Sequence, residues 1–560
     1  MHSVFTRTRD QSLRYVMMYG SSLVLLVIVG LPIIAIVLYA IFPHLNQGSF
    51  ASAFSRFSEQ FHSSSLIGAT INSVTLACGV IVWTLVIALP LAVVRQSLRA
   101  GFGRMVDMLL MVPLLIPPYI GSMAWIQLGQ SHGFIEQWFG FNFHQLLFSP
   151  IGLSLVMGLH LFPLTYASAN TAITATGRGY MEAAMIYGAN TWQRFSKIWL
   201  PLIMPALVAS SLMIFVLSIE EFGTPDIIGR RFGFEVMVTA IHNKLSDWPI
   251  DLSGAAILSL LLIALAMVAY QCYRLLNHCY RAHLDGAQMG NQMTERCTHQ
   301  FLKLALFMVW IVISVGLPLL AITLSALMKT QSGGLHWYNL GFGAFAALFS
   351  GVSDAMRALM TSLSLAFAAA ILCCLIALVV SYTLIRLRPK GANILELLTV
   401  LPNAIPGMAV AVGLILTWNQ PFWHWSPYNS LAILLLAYLC LMLPYPMRML
   451  TAALRSYPKS LDEAGFISGA NDWQVLWKIL LPSLVCVGFA SAVIVFAVST
   501  RELVASLMLA PPGVETVATY VFNQFDQGSV NVGMAMSLMT IVLCGALISL
   551  GQWVQKKVSS

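Results

Sequence analysis

The sequence is short of charge. Only 9% of its 560 residues are Asp, Glu, Lys or Arg, against about 25% in a soluble globular chain. That is too little to coat a water-facing surface, and it excludes a soluble enzyme. With 58% hydrophobic residues it excludes disorder as well. No Gly-Lys pair occurs anywhere, so the phosphate-cradling G-x4-G-K-[ST] loop is missing and the chain binds no nucleotide by that route. No CxxC occurs, and the nine cysteines, an odd number, lie mostly inside apolar runs, which is no disulfide framework. Cys272, His278, Cys279, His283, Cys297 and His299 gather around residues 275–300, yet no spacing among them matches a zinc motif. HExxH is absent too. The expectation is a chain with no cofactor, no metal site and no catalytic residues of its own.

What the sequence has is long apolar runs and a mean hydropathy of +0.81. A membrane helix takes roughly 20 apolar residues, and polar breaks separate twelve candidates. They lie near 19–42, 67–94, 106–130, 148–171, 200–219 and 252–274, then near 302–328, 359–385, 394–417, 429–450, 482–506 and 529–553. The first run is too long for the 7–15-residue core of a signal peptide, so it reads as a retained span. The expected fold is an all-α polytopic membrane protein of about twelve transmembrane helices in two homologous six-helix halves. Net charge is +8, which in such a chain reports basic cytoplasmic loops rather than nucleic acid. With the N-terminus inside, 22 of the 29 Lys and Arg fall on inner segments and 7 on outer ones. Both termini are therefore predicted cytoplasmic.

The second half repeats the first. Glu182 to Gln193 aligns with Glu463 to Gln474 at an offset of 281, as do Pro163 with Pro444, Pro201 with Pro482, and Glu221 with Glu502. Pro113 to Pro117 aligns with Pro402 to Pro406 at an offset of 289. Six spans per half means that both copies enter the membrane in the same sense, a parallel repeat about an axis along the membrane normal. The expected halves are 1–280 and 281–560.

Similarity is densest in a cytoplasmic loop, where lipid imposes no composition. Met181 to Tyr187 are good helix formers, the small Ala183 and Ala184 let another surface approach, and Gly188 permits a bend. A second short helix is expected over about Thr191–Trp199, anchored by Trp192, Phe195 and Trp199, with Pro201 in the first turn of the next span. Leu461 to Pro482 repeat the plan, with Trp473, Leu476, Trp477 and Leu480 as anchors. Each half thus presents a bent lever fused to its fifth span.

The pattern E-A-A-x3-G-x9-I-x-L-P stands complete at Glu182, Ala183, Ala184, Gly188, Ile198, Leu200 and Pro201. It recurs at Glu463, Ala464, Gly469, Ile479, Leu481 and Pro482, with Gly465 in place of the second Ala. This resembles the membrane-subunit motif of type I binding-protein-dependent ABC importers. Residues 112–121 and 220–229 look like the iron(III) branch of fused permeases, whose relatives carry thiamine and phosphonates.

The resemblance covers a core at about 67–274 in the first half and at about 357–552 in the second, with the first span of each half outside it. It implies the type I permease fold, an inner-membrane location and a role as transporter subunit. It implies two copies of a separate ATPase, holding ATP and Mg, docked on coupling helices at Glu182, Ala183, Ala184, Gly188, Glu463, Ala464, Gly465 and Gly469. In this reading Gly465 loosens the second helix. It also implies a periplasmic substrate-binding protein, with ferric iron as cargo. A phosphonate or other phosphorylated compound, thiamine or a polyamine are alternatives. A gradient-driven secondary transporter is the reading from another class, and it would more often bury ionisable residues deep in its spans.

Path residues are expected at the ends of the fifth spans. From Pro201 to Glu220 is 19 steps, about 28 Å of helix, which would place Glu220 and Glu221 near the outer boundary. Arg501 and Glu502 are their counterparts. Acidic oxygens suit a hard cation, although charges at span ends also snorkel to water or pair between halves. Pro117 and Pro406, with Pro113, Pro118 and Pro402, break the third spans, as kinks in the path or in the packing. Outer-loop acids Asp226, Glu235, Asp247, Asp251, Glu515 and Asp526 either touch the binding protein or are simply wet.

Overall fold

The computed structural model describes residues 15–45, 49–50, 53–175, 184–284, 300–350, 353–387, 392–421 and 423–559. Among them the chain is helical throughout, with one isolated β-bridge, Met328 to Leu340, and no named strand. Among the described residues nine helices are long and apolar enough to cross a membrane, and three bent pairs, each taken as one span, bring the number to twelve. The twelve fall on the runs expected from the sequence. The third span of each half is sharply broken: Gly101–Leu115 meets Pro118–Phe139 at 92°, and Ala392–Asn403 meets Gly407–Trp418 at 117°. Both breaks fall at the expected prolines. The fourth span of the second half bends by 45° between Leu431–Met442 and Pro444–Ser456.

Prolines shape the other spans more quietly. Pro32, Pro201, Pro318 and Pro482 each follow by two residues a widened π stretch, at Leu26–Gly30, Phe195–Trp199, Val312–Gly316 and Val475–Leu480. A proline ring clashes with the carbonyl four residues earlier, and a wider turn moves that carbonyl aside. The helix therefore runs through. Hence the second short helix of each lever does not end before the fifth span, as expected, but continues into it. Trp192–Glu220 and Asp472–Ser499 are single helices of 29 and 28 residues.

The two halves interlock. The first span of the first half packs on the third span of the second half, where Gly413 leaves room for it. A Cβ at Gly413 would lie 2.6 Å from the Pro32 carbonyl oxygen. In return, Leu317–Leu327 packs on Pro118–Gly129. The repeat extends to single bonds. Ser73 Oγ accepts from the Met237 amide at 2.8 Å, and Ser362 Oγ accepts from the Val517 amide at 2.7 Å.

Candidate coupling loops and translocation path

Glu182 and Ala183 lie outside the described residues, as do Cys297 and His299, and nothing is described of the Cys279, His278 and His283 side chains. No group of three His, Cys, Asp or Glu able to hold a metal occurs among the described residues. Met181 and residues 176–180 lie outside them too; where both levers are described, their turns make matching bonds. Gly188 and Gly469 are left-handed, with φ +75° and +83°, a conformation that costs a side chain energy and glycine almost none. Each glycine amide donates to the carbonyl three residues back, Met185 and Phe466, both at 3.0 Å. Asn190 accepts from the Gln193 amide and Asn471 from the Gln474 amide, both at 2.8 Å, and each glutamine returns the bond to the asparagine amide. These reciprocal capping boxes start the helices that become the fifth spans.

Gly465 has a different role from the one expected. Its Cβ would lie 2.6 Å from Ile479 Cδ1, so the missing side chain lets Ser460–Ile467 close onto the helix that follows. It tightens the elbow rather than loosening it. Ala184 holds the same place in the first half and is buried. Trp192 is no anchor, being 70% exposed; Leu476 and Leu480 are fully buried as expected. Ile186 and its counterpart Ile467 project outward, 83% and 87% exposed, while Glu463 and Ala464 are also exposed.

The levers differ in how they are held. In the second half Arg386, at the end of the second span, reaches down to the lever. Its Nε lies 2.8 Å from Asp462 Oδ2, close enough for an ion pair but out of line for a hydrogen bond. Nη2 donates to the Tyr457 carbonyl at 3.0 Å. Both side chains of the pair are more than nine-tenths buried. Burial lifts the Asp462 carboxyl above its ordinary range, and Arg386 pulls it back. Tyr382 also donates to Asp472 at 3.2 Å. The first half has Met181 and Thr191 at the positions of these two acids. Its basic residue, Arg95, turns instead into the bundle. It makes two 2.8 Å bonds to Asp107 of the third span, which also accepts from Tyr166 of the fourth at 2.6 Å. Where this network fills the first half, the second half has a cavity of about 530 Å³ lined by Asn393, Glu396, Asn403, Arg448, Thr451 and Arg455.

Glu220, Glu221, Arg501 and Glu502 lie at the ends of the fifth spans, and Arg501 lies against the broken middle of the first half's third span. The helix starts about eight residues earlier than expected, so part of its length is spent on the lever. Glu221 and Glu502 act as caps: Glu221 Oε1 accepts from the Thr224 amide at 3.1 Å, and Glu502 Oε1 from the Ala505 amide at 3.2 Å. Glu220 Oε1 is buried with no hydrogen-bond partner. Arg501 donates from Nη1 to the carbonyls of Leu114 at 2.9 Å and Leu115 at 3.3 Å, across the interface between halves. Pro117 and Pro406 sit at the starts of the outer third-span segments, both extended, with ψ 136° and 142°.

Residues 82–281 and 385–560 each match the model of the family described as the binding-protein-dependent transport system inner membrane component. The chain belongs to this family. It is 26% identical over 480 residues to the ferric transport system permease protein FbpB of Actinobacillus pleuropneumoniae, covering 84% of this chain and 68% of that one. It is 22% identical over 437 residues to the Fe(3+)-transport system permease protein FbpB 2 of Haemophilus influenzae, covering 78% and 79%. It is 31% identical over 171 residues to the molybdenum transport system permease protein ModB of Escherichia coli, covering 30% and 73%. Membership makes the chain an inner-membrane, multi-pass permease of an ABC importer, with two family units fused in one chain.

Of the outer-loop acids, Glu235 and Glu515 are equivalent, each accepting from an asparagine eight residues on, Asn243 and Asn523, at 2.8 Å. Burial alone would raise the Asp251 carboxyl, but the Gly254 amide and Lys244 outweigh it and hold it below its ordinary range. Asp251 thus caps the sixth span. Asp226 is buried. Sequence reasoning missed the Arg386 to Asp462 pair and the Arg501 bridge. The only signal for the first was an unpaired acid, Asp462, beside the motif.

Proposed function

We propose that this chain is the whole membrane channel of an ATP-driven ferric iron importer. Two copies of a separate ATPase dock on the two levers, a periplasmic binding protein delivers the iron, and both chain ends face the cytoplasm. Glu182, Ala183, Ala184 and Gly188, with Glu463, Ala464, Gly465 and Gly469, form the two seats. Closure of the ATPases turns the halves against each other and alternates access to the path, which runs past Glu220, Glu221, Arg501, Glu502, Pro117 and Pro406. The halves divide near residue 280, with cores at about 67–274 and 357–552.

The observation that carries this reading is the pair of exposed elbows, each continuous with a fifth span. A helix that runs unbroken from loop to path transmits displacement along its axis without a hinge. The choice of cargo rests on the names of the ferric relatives and on three carboxylates at the span ends, which suit a hard cation. The test replaces Gly188 and Gly469 by Asp. Copurification of the ATPase and ATP-driven uptake of radioactive iron into inverted or right-side-out vesicles are then measured with the ion gradient collapsed. Loss of both is expected. Unchanged copurification removes the coupling role, and uptake that follows the gradient instead of ATP makes the chain a secondary transporter.

A further inference from the structure

The break in the first half's third span leaves backbone carbonyls without their helical partners. In an unbroken helix a carbonyl accepts from the amide four residues on. For Leu114 that residue is Pro118, which has no N–H to give; the Pro113 carbonyl, whose partner would be Pro117, accepts from the Ile116 amide at 3.2 Å instead. Leu115 loses its partner because the chain turns extended at Ile116, with ψ 122°. A buried carbonyl without a donor is costly in the membrane interior, where water is absent. Arg501 supplies the donors for Leu114 and Leu115, and it comes from the other half, 386 to 387 residues away in sequence.

The mirror position has no such device. The counterpart of Arg501 in the first half is Glu220, which has only acceptors when ionised. Its Oε1 is buried and unpartnered. Charge-assisted hydrogen bonds are about twice as strong as neutral ones. The guanidinium is held here by two carbonyls, and an unpartnered carboxyl oxygen stands at the matching point of the pseudo-symmetric site.

We propose that Arg501 is an inter-half latch. In this conformation it bridges the second half to the broken third span of the first, and on rotation of the halves it releases Leu114 and Leu115 and is received by Glu220. Arg501 is a positioning residue: it sets whether the halves can part, and cargo need not touch it. The inference rests on the alternating-access reading above and goes beyond it by naming the contact that must break.

The structure also provides a native reporter. Cys544, on the last span, is buried, lies within electrostatic reach of Arg501, and its thiol points to the Ala497 carbonyl at 3.8 Å. Cys373 and Cys440 are buried elsewhere in the same half and serve as controls for general loosening. The full chain, expressed with its partner subunits, is labelled in membrane vesicles with a charged, membrane-impermeant methanethiosulfonate, and each cysteine peptide is read by mass spectrometry. Without ATP, Arg501→Met should raise Cys544 labelling at least about tenfold, the scale of a lost charge-assisted bond, with Cys373 and Cys440 unchanged. Arg501→Lys, which keeps a cationic donor, should stay within about threefold of the parent. Arg501→Gln carries the same comparison if the Met variant accumulates poorly. With Mg-ATP the parent should show a rise at Cys544 that Glu220→Gln abolishes.

Parent-like Cys544 labelling in the Met and Gln variants overturns the latch, as does an equal rise at all three cysteines. An ATP-driven rise that survives in Glu220→Gln overturns the second seat. If the parent shows no ATP-driven change, alternating access itself fails, while the ATP-free arm still decides whether Arg501 holds the halves together.

Discussion

Arg95 and Arg386 end the second spans of the two halves, and they hold different things. Arg95 binds inward, to Asp107 and through it to Tyr166, so it ties three membrane helices together. Arg386 binds outward, to Asp462 and the Tyr457 carbonyl, so it ties the second span to the lever. Two halves with the same helices and the same elbow have spent one arginine in opposite ways. The first half has a braced bundle. The second has a braced lever above a cavity. Duplication conserved the parts that an external partner would grip and let the internal bracing diverge.

The comparison is broken most severely at the second lever. Asp462→Ala leaves Arg386 buried without its charge partner, which costs about 3–5 kcal/mol when the pair is buried. Hydrogen exchange over 458–480 should rise sharply and uptake should fall, with the first lever unaffected. The double variant Arg386→Met with Asp462→Leu should recover most of that ordering, because it removes both charges together.

Asp107→Asn should cost less, about 1–3 kcal/mol, since Asp107 is 30% exposed. It should lower the amount of folded permease in the membrane while leaving uptake per molecule close to the parent. A loss of coupling without loss of protein would contradict the division of roles drawn here.

Gly465→Ala forces a methyl against Ile479 and should cost about 1–3 kcal/mol by overpacking. Ile479→Val should relieve it in part. The reciprocal change Ala184→Gly meets no such wall and should lower stability by no more than about 1 kcal/mol through backbone entropy. Smallest and most even are the caps: Asn190→Ala and Asn471→Ala should each cost about 1 kcal/mol. Equal effects at the two sites, read as local exchange rates, sharpen the claim that the elbows themselves are equivalent.

Much of this was legible in residue order. Span positions follow from apolar runs, the third-span breaks from Pro117 and Pro406, and the elbows from Gly188 and Gly469, where only glycine adopts the required φ cheaply. These are local effects, and local patterns report them. The unbroken helix through Pro201 was not legible, because the widened turn that accommodates the ring has no signature of its own. Trp192 reads as an anchor by type yet faces outward, since periodicity fixes a face and not what covers it. Asp462 and Arg386 stand 76 positions apart and Arg501 lies further still from Leu114. The first contact depends on how the lever folds back on its own half and the second on how the halves pack; apart from the unmatched Asp462, residue order carries no trace of either. Gly465 looked like a flaw in the motif until its neighbour Ile479 gave the reason for it.

The central claim is that two outward elbows are where a separate motor holds the channel. Ile186 and Ile467 are equivalent, exposed and in the elbows themselves. Cysteine at either position, cross-linked in membranes containing the whole transporter, tests the claim most directly. The account predicts that both Ile186→Cys and Ile467→Cys form adducts with an ATPase subunit, each with its own copy. If neither position captures the ATPase while the transporter remains assembled and active, the account is contradicted.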